Sequence, residues 1–417
     1  MRCDPVRKVL VAGAGASGMC AAIHAARAGA LVTILEKTDT AGRKLSMTGN
    51  GRCNLSNMEL SADSYNTSDE DGVDRYLRRF GTRQTQEFFM SVGVLTRDEN
   101  GPIYPASGQA SAVTGALVSE CIRDGVKFIY KEQIKSVRKN DDGSLIVRSD
   151  KHEYESDSLI LATGGLSGPK PTASTGDGYY ICEQLGMKCT DRYPALVSLN
   201  CSDDTLPGET GVRVKADITF MSGGEKIASE YGELQITGDG ISGIPVMQAS
   251  GAVASYLDNN KQVTAYADVF PEYTDSEFEE LTQRLVTCKG KRTLLDFVNG
   301  FANGYLGMTV LKRLGLSPEE DMNSLSWEKL YELVMYYRRI PFEITGTGGY
   351  RRAQVTSGGV SLSCLDDDLQ SRSFPGVYCV GELVDVDGRC GGYNLQWAWC
   401  SAALAGSAAA GKKYDQA

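Results

Sequence analysis

An α/β fold carrying two inserted segments is what this sequence predicts, and three observations carry the prediction. Near the start, the apolar run Val9-Leu10-Val11-Ala12 leads into Gly13-Ala14-Gly15-Ala16-Ser17-Gly18, an Ala-rich helical stretch over 19–28, and a second apolar run over 31–35 that ends on Glu36. Near the end, Gly376-Val377-Tyr378-Cys379-Val380-Gly381-Glu382 reads as a strand, followed by a glycine-rich loop and a second Ala-rich helix. Between them, from about residue 191, short alternating runs give way to helical periodicity before the first style returns near 345. The two ends therefore make one Rossmann-type domain, 1–190 with 345–417. A β-barrel-like insertion covers 191–273 plus 338–345, and a helical insertion covers 274–337.

In the first βαβ unit each residue type has a physical job. Gly13 permits a tight turn, Gly15 lets the backbone approach a pyrophosphate, and Gly18 lets helix and strand pack closely. The helix N-terminus offers unpaired N–H groups to the anion. Glu36 stands 18 residues after Gly18, where a carboxylate can accept hydrogen bonds from both ribose hydroxyls. Next comes a polar, Gly-rich loop over 41–54 with the cations Arg43, Lys44 and Arg52, placed beside the expected pyrophosphate and ribose. Its alternative reading is a solvated surface loop.

The acidic stretch 61–72 reads as an exposed connection, and helices are expected over 73–92 and 112–124. Strand signals over 126–130, 133–138, 145–149 and 151–155, with the turn Asn140-Asp141-Asp142-Gly143, predict a β-meander beside the sheet. Ser158-Leu159-Ile160-Leu161-Ala162-Thr163-Gly164-Gly165 reads as a buried parallel strand ending in glycines, and ligands bind at such strand ends in open α/β sheets. Alternating runs over 195–199, 212–220, 233–237 and 262–268 suggest a small barrel. Helical patterns follow over 275–288, 291–297, 307–314 and 327–337, then a strand over 340–345. After Glu382, a loop holding Asp385, Asp387, Gly391, Gly392, Tyr393, Asn394, Leu395 and Gln396 feeds a helix over 397–410. A helix start fed by glycines can donate N–H bonds to an anion. A second match, Gly238-Asp239-Gly240-Ile241-Ser242-Gly243, is followed at once by Pro245, with no good amphipathic helix. It reads as a turn of the β insertion, so one dinucleotide site is expected.

Composition narrows the function classes. With 43 basic and 53 acidic residues the net charge is −10, which disfavours a broad nucleic-acid surface. No apolar run approaches the roughly 20 residues of a membrane span, and the first core strand begins almost at Met1, so the expected location is cytoplasmic. The 12 cysteines contain no CxxC pair, and the spacing needed for a zinc ribbon, dithiol pair or iron–sulfur cluster is missing. Only His24 and His152 could supply imidazole. Neither is placed for catalysis, which excludes most His-dependent hydrolase and metal chemistry.

Taken together, the segments resemble the BaiN/aminoacetone-oxidase (HI0933-like) family of FAD-dependent oxidoreductases over essentially the whole chain. The resemblance is carried by Gly42-Arg43-Lys44 with Gly49-Asn50-Gly51-Arg52-Cys53-Asn54, by Tyr104-Pro105-Ala106 and by Ala162-Thr163-Gly164-Gly165. It continues in Ser174-Thr175-Gly176-Asp177-Gly178-Tyr179, Gly232-Glu233-Leu234, Val355-Thr356-Ser357-Gly358-Gly359-Val360 and Gly391-Gly392-Tyr393-Asn394-Leu395-Gln396. It implies an FAD domain built from both chain ends. Gly13 to Gly18 (with Ala14, Gly15, Ala16 and Ser17), Glu36, Arg43 and Asn54 would lie on FAD. Ile134 would meet the adenine through its backbone, and Gly381, Glu382, Asn394, Leu395 and Gln396 the ribityl and ring end. Lys37, Lys44, Arg52, Cys53, Ala162, Thr163, Gly164, Asp385 and Gly392 complete the candidate cofactor set.

The activity implied is hydride transfer from reduced FAD to the β-carbon of a C=C bond conjugated to a carbonyl, in a 3-oxo-Δ4 or Δ4,6 steroid or bile-acid-like substrate. With one Rossmann site, NADH or NADPH would dock transiently over the flavin. Tyr393, Arg352 and Tyr350 are the candidate donors to the enone oxygen, by position alone. The alternatives are O2-dependent oxidation of a small amine such as aminoacetone and a non-catalytic flavin-binding protein; a tRNA-modifying flavoprotein fits the acidic balance less well. For Cys53 a packing role is favoured over a redox role, since no partner cysteine is suitably spaced.

Overall fold

The computed structural model describes residues 6–203, 205–206, 211–288 and 290–414. They form two compact units, Met1–Tyr193 with Val355–Ala417, and Pro194–Gln354.

The first unit is built on a parallel sheet of five strands in the order Val377–Cys379, Ser158–Leu161, Lys8–Ala12, Leu31–Glu36, Lys127–Tyr130. The three middle strands are near-continuous apolar runs, as a sheet covered on both faces requires. Helix Ala16–Arg27 lies against helix Tyr393–Ala409. Gly406 permits the close crossing, because a Cβ there would stand 2.4 Å from the Ala21 carbonyl oxygen. The last helix is buried nearly all round. Its indoles are satisfied by main chain: Trp397 donates to Gly381 O at 3.1 Å and Trp399 to Leu55 O at 2.9 Å.

Several elements differ from expectation. The segment 126–130 joins the parallel sheet instead of the meander, leaving Ile134–Lys139, Leu145–Ser149 and Glu153–Ser156 as a separate antiparallel sheet. The preceding helix Ala110–Arg123 makes this a crossover connection, which delivers a parallel strand. The single helix expected over 73–92 is two, Glu70–Leu77 and Thr82–Ser91. Gly81 breaks it in an extended conformation, its N–H held by Gln84 Oε1 at 3.1 Å. The connection 61–72 contains strand Tyr65–Asn66, paired with Asp387–Gly388. The last helix begins at Tyr393, so Asn394, Leu395 and Gln396 occupy its first turn and not a loop.

The second unit holds a closed barrel of six strands in the order Leu199–Cys201, Gly240–Ser242, Glu225–Thr237, Val212–Ser222, Val263–Asp268, Ile340–Thr347. Its hydrophobic cluster includes barrel residues such as Phe220 and Ile344 together with Phe297 and Leu333 from the helical stretch. The β and helical insertions thus share one core. At the second GxGxxG, a Cβ on Gly240 would lie 2.1 Å from Leu199 O and one on Gly243 2.1 Å from Glu233 O. These glycines bring barrel backbones together. A helix, Ile244–Asp258, does open after them, with Pro245 tolerated in its first turn. Among the described residues no helix is long and apolar enough to cross a membrane.

Candidate cofactor site

The three motif glycines are physically distinct. A Cβ on Gly13, which has φ +107°, would stand 2.4 Å from Ala162 O, and one on Gly18 would stand 1.9 Å from Gly13 O. Both are required by packing. A Cβ on Gly15 would meet no protein atom within 4 Å, so this backbone faces open space. Helix Ala16–Arg27 starts there with no side-chain cap and no acidic residue in its first turn. An anion is favoured at such a start. Ala14 sits beneath the turn, fully buried, with its carbonyl accepting from Gly42 N at 2.8 Å.

Glu36 fixes the turn. Its carboxylate accepts Ala14 N and Thr38 N, each at 2.8 Å, one bond per oxygen, leaving lone pairs for hydroxyl donors. Lys37 is drawn aside onto Asp177 at 2.8 Å and Thr175 at 2.7 Å. Arg43 pairs with Asp39 at 2.6 Å on the surface. Arg52 is held in a fork by Glu99 at 2.7 and 2.6 Å and lies over the Tyr104 ring. Ile134 is buried at the start of its strand, beside Ser149 of the neighbouring one. Cys53 is buried at φ +62°, and burial pushes its thiol up to about 12. A neutral, enclosed thiol is a packing group.

Lys44 gathers three segments. Its ammonium donates to Ser167 Oγ and Glu382 Oε2, each at 2.5 Å. The other Glu382 oxygen accepts from Ser167 Oγ at 2.8 Å and Thr356 N at 3.0 Å. Gly165 has no room for a side chain here, since a Cβ would stand 2.5 Å from Thr356 Oγ1 and 2.6 Å from Glu382 Oε1. Gly381, at φ +65°, likewise fits against Ser17, whose Oγ would lie 2.6 Å from an added Cβ.

The glycine loop then enters the last helix through Gly392, at φ +98°, where a Cβ would collide with Ser56 O and Asn54 Oδ1, both at 2.5 Å. Asn394 clamps Gly388 with two bonds, donating to its carbonyl at 2.7 Å and accepting its N–H at 2.9 Å. Gln396 is buried and committed to protein: its Oε1 accepts from Ser56 at 2.6 Å and Thr85 at 2.8 Å, and its Nε2 donates to Phe80 O at 3.1 Å. It braces the site from behind. Leu395 packs half-buried against the core. Tyr393 donates its hydroxyl to Glu59 O at 3.2 Å, which commits that phenol to the scaffold. Tyr350 and Arg352 stand in the second unit on the short helix Gly349–Arg352, and the half-exposed Arg352 reaches Asp239 only at 3.9 Å.

A few buried polar atoms among the described residues have no hydrogen-bond partner, and three lie in these segments: Asn54 Oδ1, Thr163 Oγ1 and Asp387 Oδ1. Thr163 follows Ala162, whose N–H bonds Ala12 O at 2.9 Å at the sheet's C-terminal edge, and Gly164 turns away at φ +72°. Orphaned polar groups of this kind are costly unless something completes them. Together with the open face of Gly15, they fit a dinucleotide with hydroxyl and amide groups to share. Sequence reasoning missed Asp387 as a site residue, as well as Ser167, Asn66 and Ser68. Asp385 accepts from Ser68 Oγ at 2.6 Å, and Asp387 from Asn66 at 3.0 Å. The acidic residues of the loop were visible in the sequence; their burial was not.

A turn open to phosphate, set over a sheet edge with unpaired polar atoms, is the architecture of a Rossmann dinucleotide-binding protein. The model of the HI0933-like protein Rossmann domain matches residues 7–408, and the chain belongs to that family. It is 36% identical over 411 residues to a 3-dehydro-bile acid delta(4,6)-reductase of Clostridium scindens, covering 97% of this chain and 99% of that one. It is 29% identical over 400 residues to a ribosomal RNA dihydrouridine synthase of Haemophilus influenzae, covering 94% and 96%. Among solved structures, 3-ketosteroid-delta4-(5alpha)-dehydrogenase from Rhodococcus jostii RHA1 shares the fold at a TM-score of 0.51 and 16% identity, covering 98% of this chain and 97% of that chain. The protein is an FAD-dependent oxidoreductase.

Proposed function

We propose that the protein reduces a C=C bond conjugated to a carbonyl, with a 3-oxo-Δ4 or Δ4,6 steroid or bile-acid-like molecule as substrate and NADH or NADPH as electron donor. The observation that carries this reading is the near-complete alignment with a reductase of that bond type. The RNA-directed relative supports the same chemistry. Dihydrouridine is uridine reduced at C5=C6, a bond conjugated to the C4 carbonyl, so both names describe hydride addition to the β-carbon of an unsaturated carbonyl. Bound FAD supplies that hydride.

The chain's residues supply binding and polarisation. Gly13 to Gly18 and the helix start hold the pyrophosphate, Glu36 the ribose, and the segments around Asn54, Thr163 and Gly392 the remaining polar edge. A donor must also hold the enone oxygen as charge develops on it. The Tyr393 hydroxyl is committed to Glu59 O, so of the three candidates named by sequence position Arg352 and Tyr350 are the ones to test. Arg352→Met is expected to lower kcat/KM by about 10²-fold while FAD content stays unchanged. Equal turnover in the variant would remove Arg352 from the reaction.

The decisive experiment is anaerobic stopped-flow mixing of the yellow protein with NADH or NADPH, then with substrate. Bleaching followed by reoxidation on a 3-oxo-Δ4,6 steroid is the expected result. Reoxidation by a uridine-containing ribosomal RNA fragment alone would transfer the chemistry to RNA, a reading the net charge of −10 disfavours. Flavin reduced by aminoacetone, with peroxide formed in air, would overturn both.

A further inference from the structure

The loop between Gly381 and Gly392 contains a carboxyl group in an unusual position for an acid. Asp387 is 3% exposed. Its strand partner Asn66 donates to Oδ2 at 3.0 Å, while Oδ1 is buried without a complete hydrogen bond from any described residue. Two acids of the same stretch of chain, Asp385 and Glu382, act on it electrostatically. Asp385 is capped by Ser68, and Glu382 is neutralised by Lys44. From neighbouring elements the neutral polar groups Asn66 and Ser357 act on it by hydrogen bonding. Burial pushes the carboxyl up to about 6, opposed by Asn66 and Ser357 and reinforced by Asp385 and Glu382. The next residue, Gly388, is the one clamped by Asn394 in the first turn of the last helix. Asp387 is thereby tied to the segment assigned to the ring end of FAD.

We propose that Asp387 is a positioning residue that takes up a proton when the bound FAD accepts electrons, and so stores beside the cofactor the proton that must accompany hydride addition. The physical reason is electrostatic. Reduction by hydride adds negative charge to a site enclosed by low-dielectric packing, where a second buried charge is costly. A carboxylate already strained by burial and by two neighbouring acids answers by binding H+ from solvent, and no other bond is made or broken. Once the hydride had been delivered to the β-carbon, the Asp387 carboxyl would release its proton, matching the one the α-carbon must acquire. The inference rests on FAD binding at this site and on hydride chemistry, and needs no particular substrate.

The test is the midpoint potential of bound FAD, measured by dye equilibration between pH 5 and 9 on the holoenzyme without substrate. The wild type is expected to show a steeper pH dependence above a break near pH 6, where reduction takes up the additional proton, and Asp387→Asn is expected to lose that break with FAD still bound. The same break in the variant, or none in the wild type, would overturn the proposal. Should the variant fail to fold, the reduction-induced infrared difference spectrum of the wild type at pH 7 decides the matter. A new protonated-carboxyl band is expected, and its absence refutes uptake by an acid. A break that persists while steroid enones fail to reoxidise the flavin would sink the substrate reading alone.

Discussion

Replacing Gly13 by alanine would put a methyl group 2.4 Å from Ala162 O at φ +107°, a conformation costing about 1–3 kcal/mol for an L-residue before any clash is counted. At Gly15 the same methyl enters open space. Gly13→Ala is therefore expected to lower the urea midpoint of the apoprotein. Gly15→Ala should leave that midpoint within about 0.5 kcal/mol but reduce the flavin retained on gel filtration. Equal effects in the two assays would remove the distinction between a packing glycine and a phosphate glycine. Asp387 makes a prediction of opposite logic. Its folded value of about 6 lies above the ordinary 3.8, so its contribution is fully present below the unfolded value. It is lost as pH rises through 6, about 3 kcal/mol in all. Asp387→Asn should be more stable than wild type at pH 8, with the advantage shrinking toward pH 4. Urea titrations of the apoproteins at both pH values would show it, and a pH-independent difference would count against a buried acid.

Among the elements, the contact that ties most together is Lys44 with Glu382, which links the loop after the second strand to the loop before the last helix. The side chains are 30% and 19% exposed, so the pair lies between a screened surface bridge and a fully buried one. Lys44→Met is expected to cost about 1–2 kcal/mol and to loosen flavin binding. The double variant with Glu382→Gln should recover part of that cost, because no charge is then left without its partner. A double-mutant cycle with no coupling would mean that the bond does not hold these segments. Cys53 belongs to the same loop, and its raised thiol predicts that Cys53→Ser leaves turnover unchanged.

For the whole molecule, FAD acts as a stabilising ligand, since it binds the folded chain and not the unfolded one. At a hundredfold excess over Kd the gain is about 2.7 kcal/mol, and the thermal midpoint should climb with FAD concentration. Glu36→Ala should flatten that climb, because it removes the bonds to Ala14 N and Thr38 N that fix the turn and, with them, the proposed ribose contact. A climb as steep as that of the wild type would show that the carboxylate does not meet the cofactor.

The first βαβ unit with Glu36 at the end of its second strand, the strand ending at Leu161 and the strand–loop–helix returning near 376 were all legible in the sequence. So were the presence of a barrel and the place of His24 in the first helix, where the structure packs it against Phe80 and Phe88 and burial pushes it down to about 3. Each is written locally, in apolar period, glycine placement and the residue at a strand end. Tertiary structure alone decided that 126–130 lies in the parallel sheet, that Gln396 turns toward Phe80 and Thr85, and that Lys37 is taken by Asp177. It also decided that Asp387 loses its water. Those outcomes depend on partners 10² or more residues away along the chain for most of these groups, and desolvation is a property of what surrounds a side chain, which no local pattern encodes.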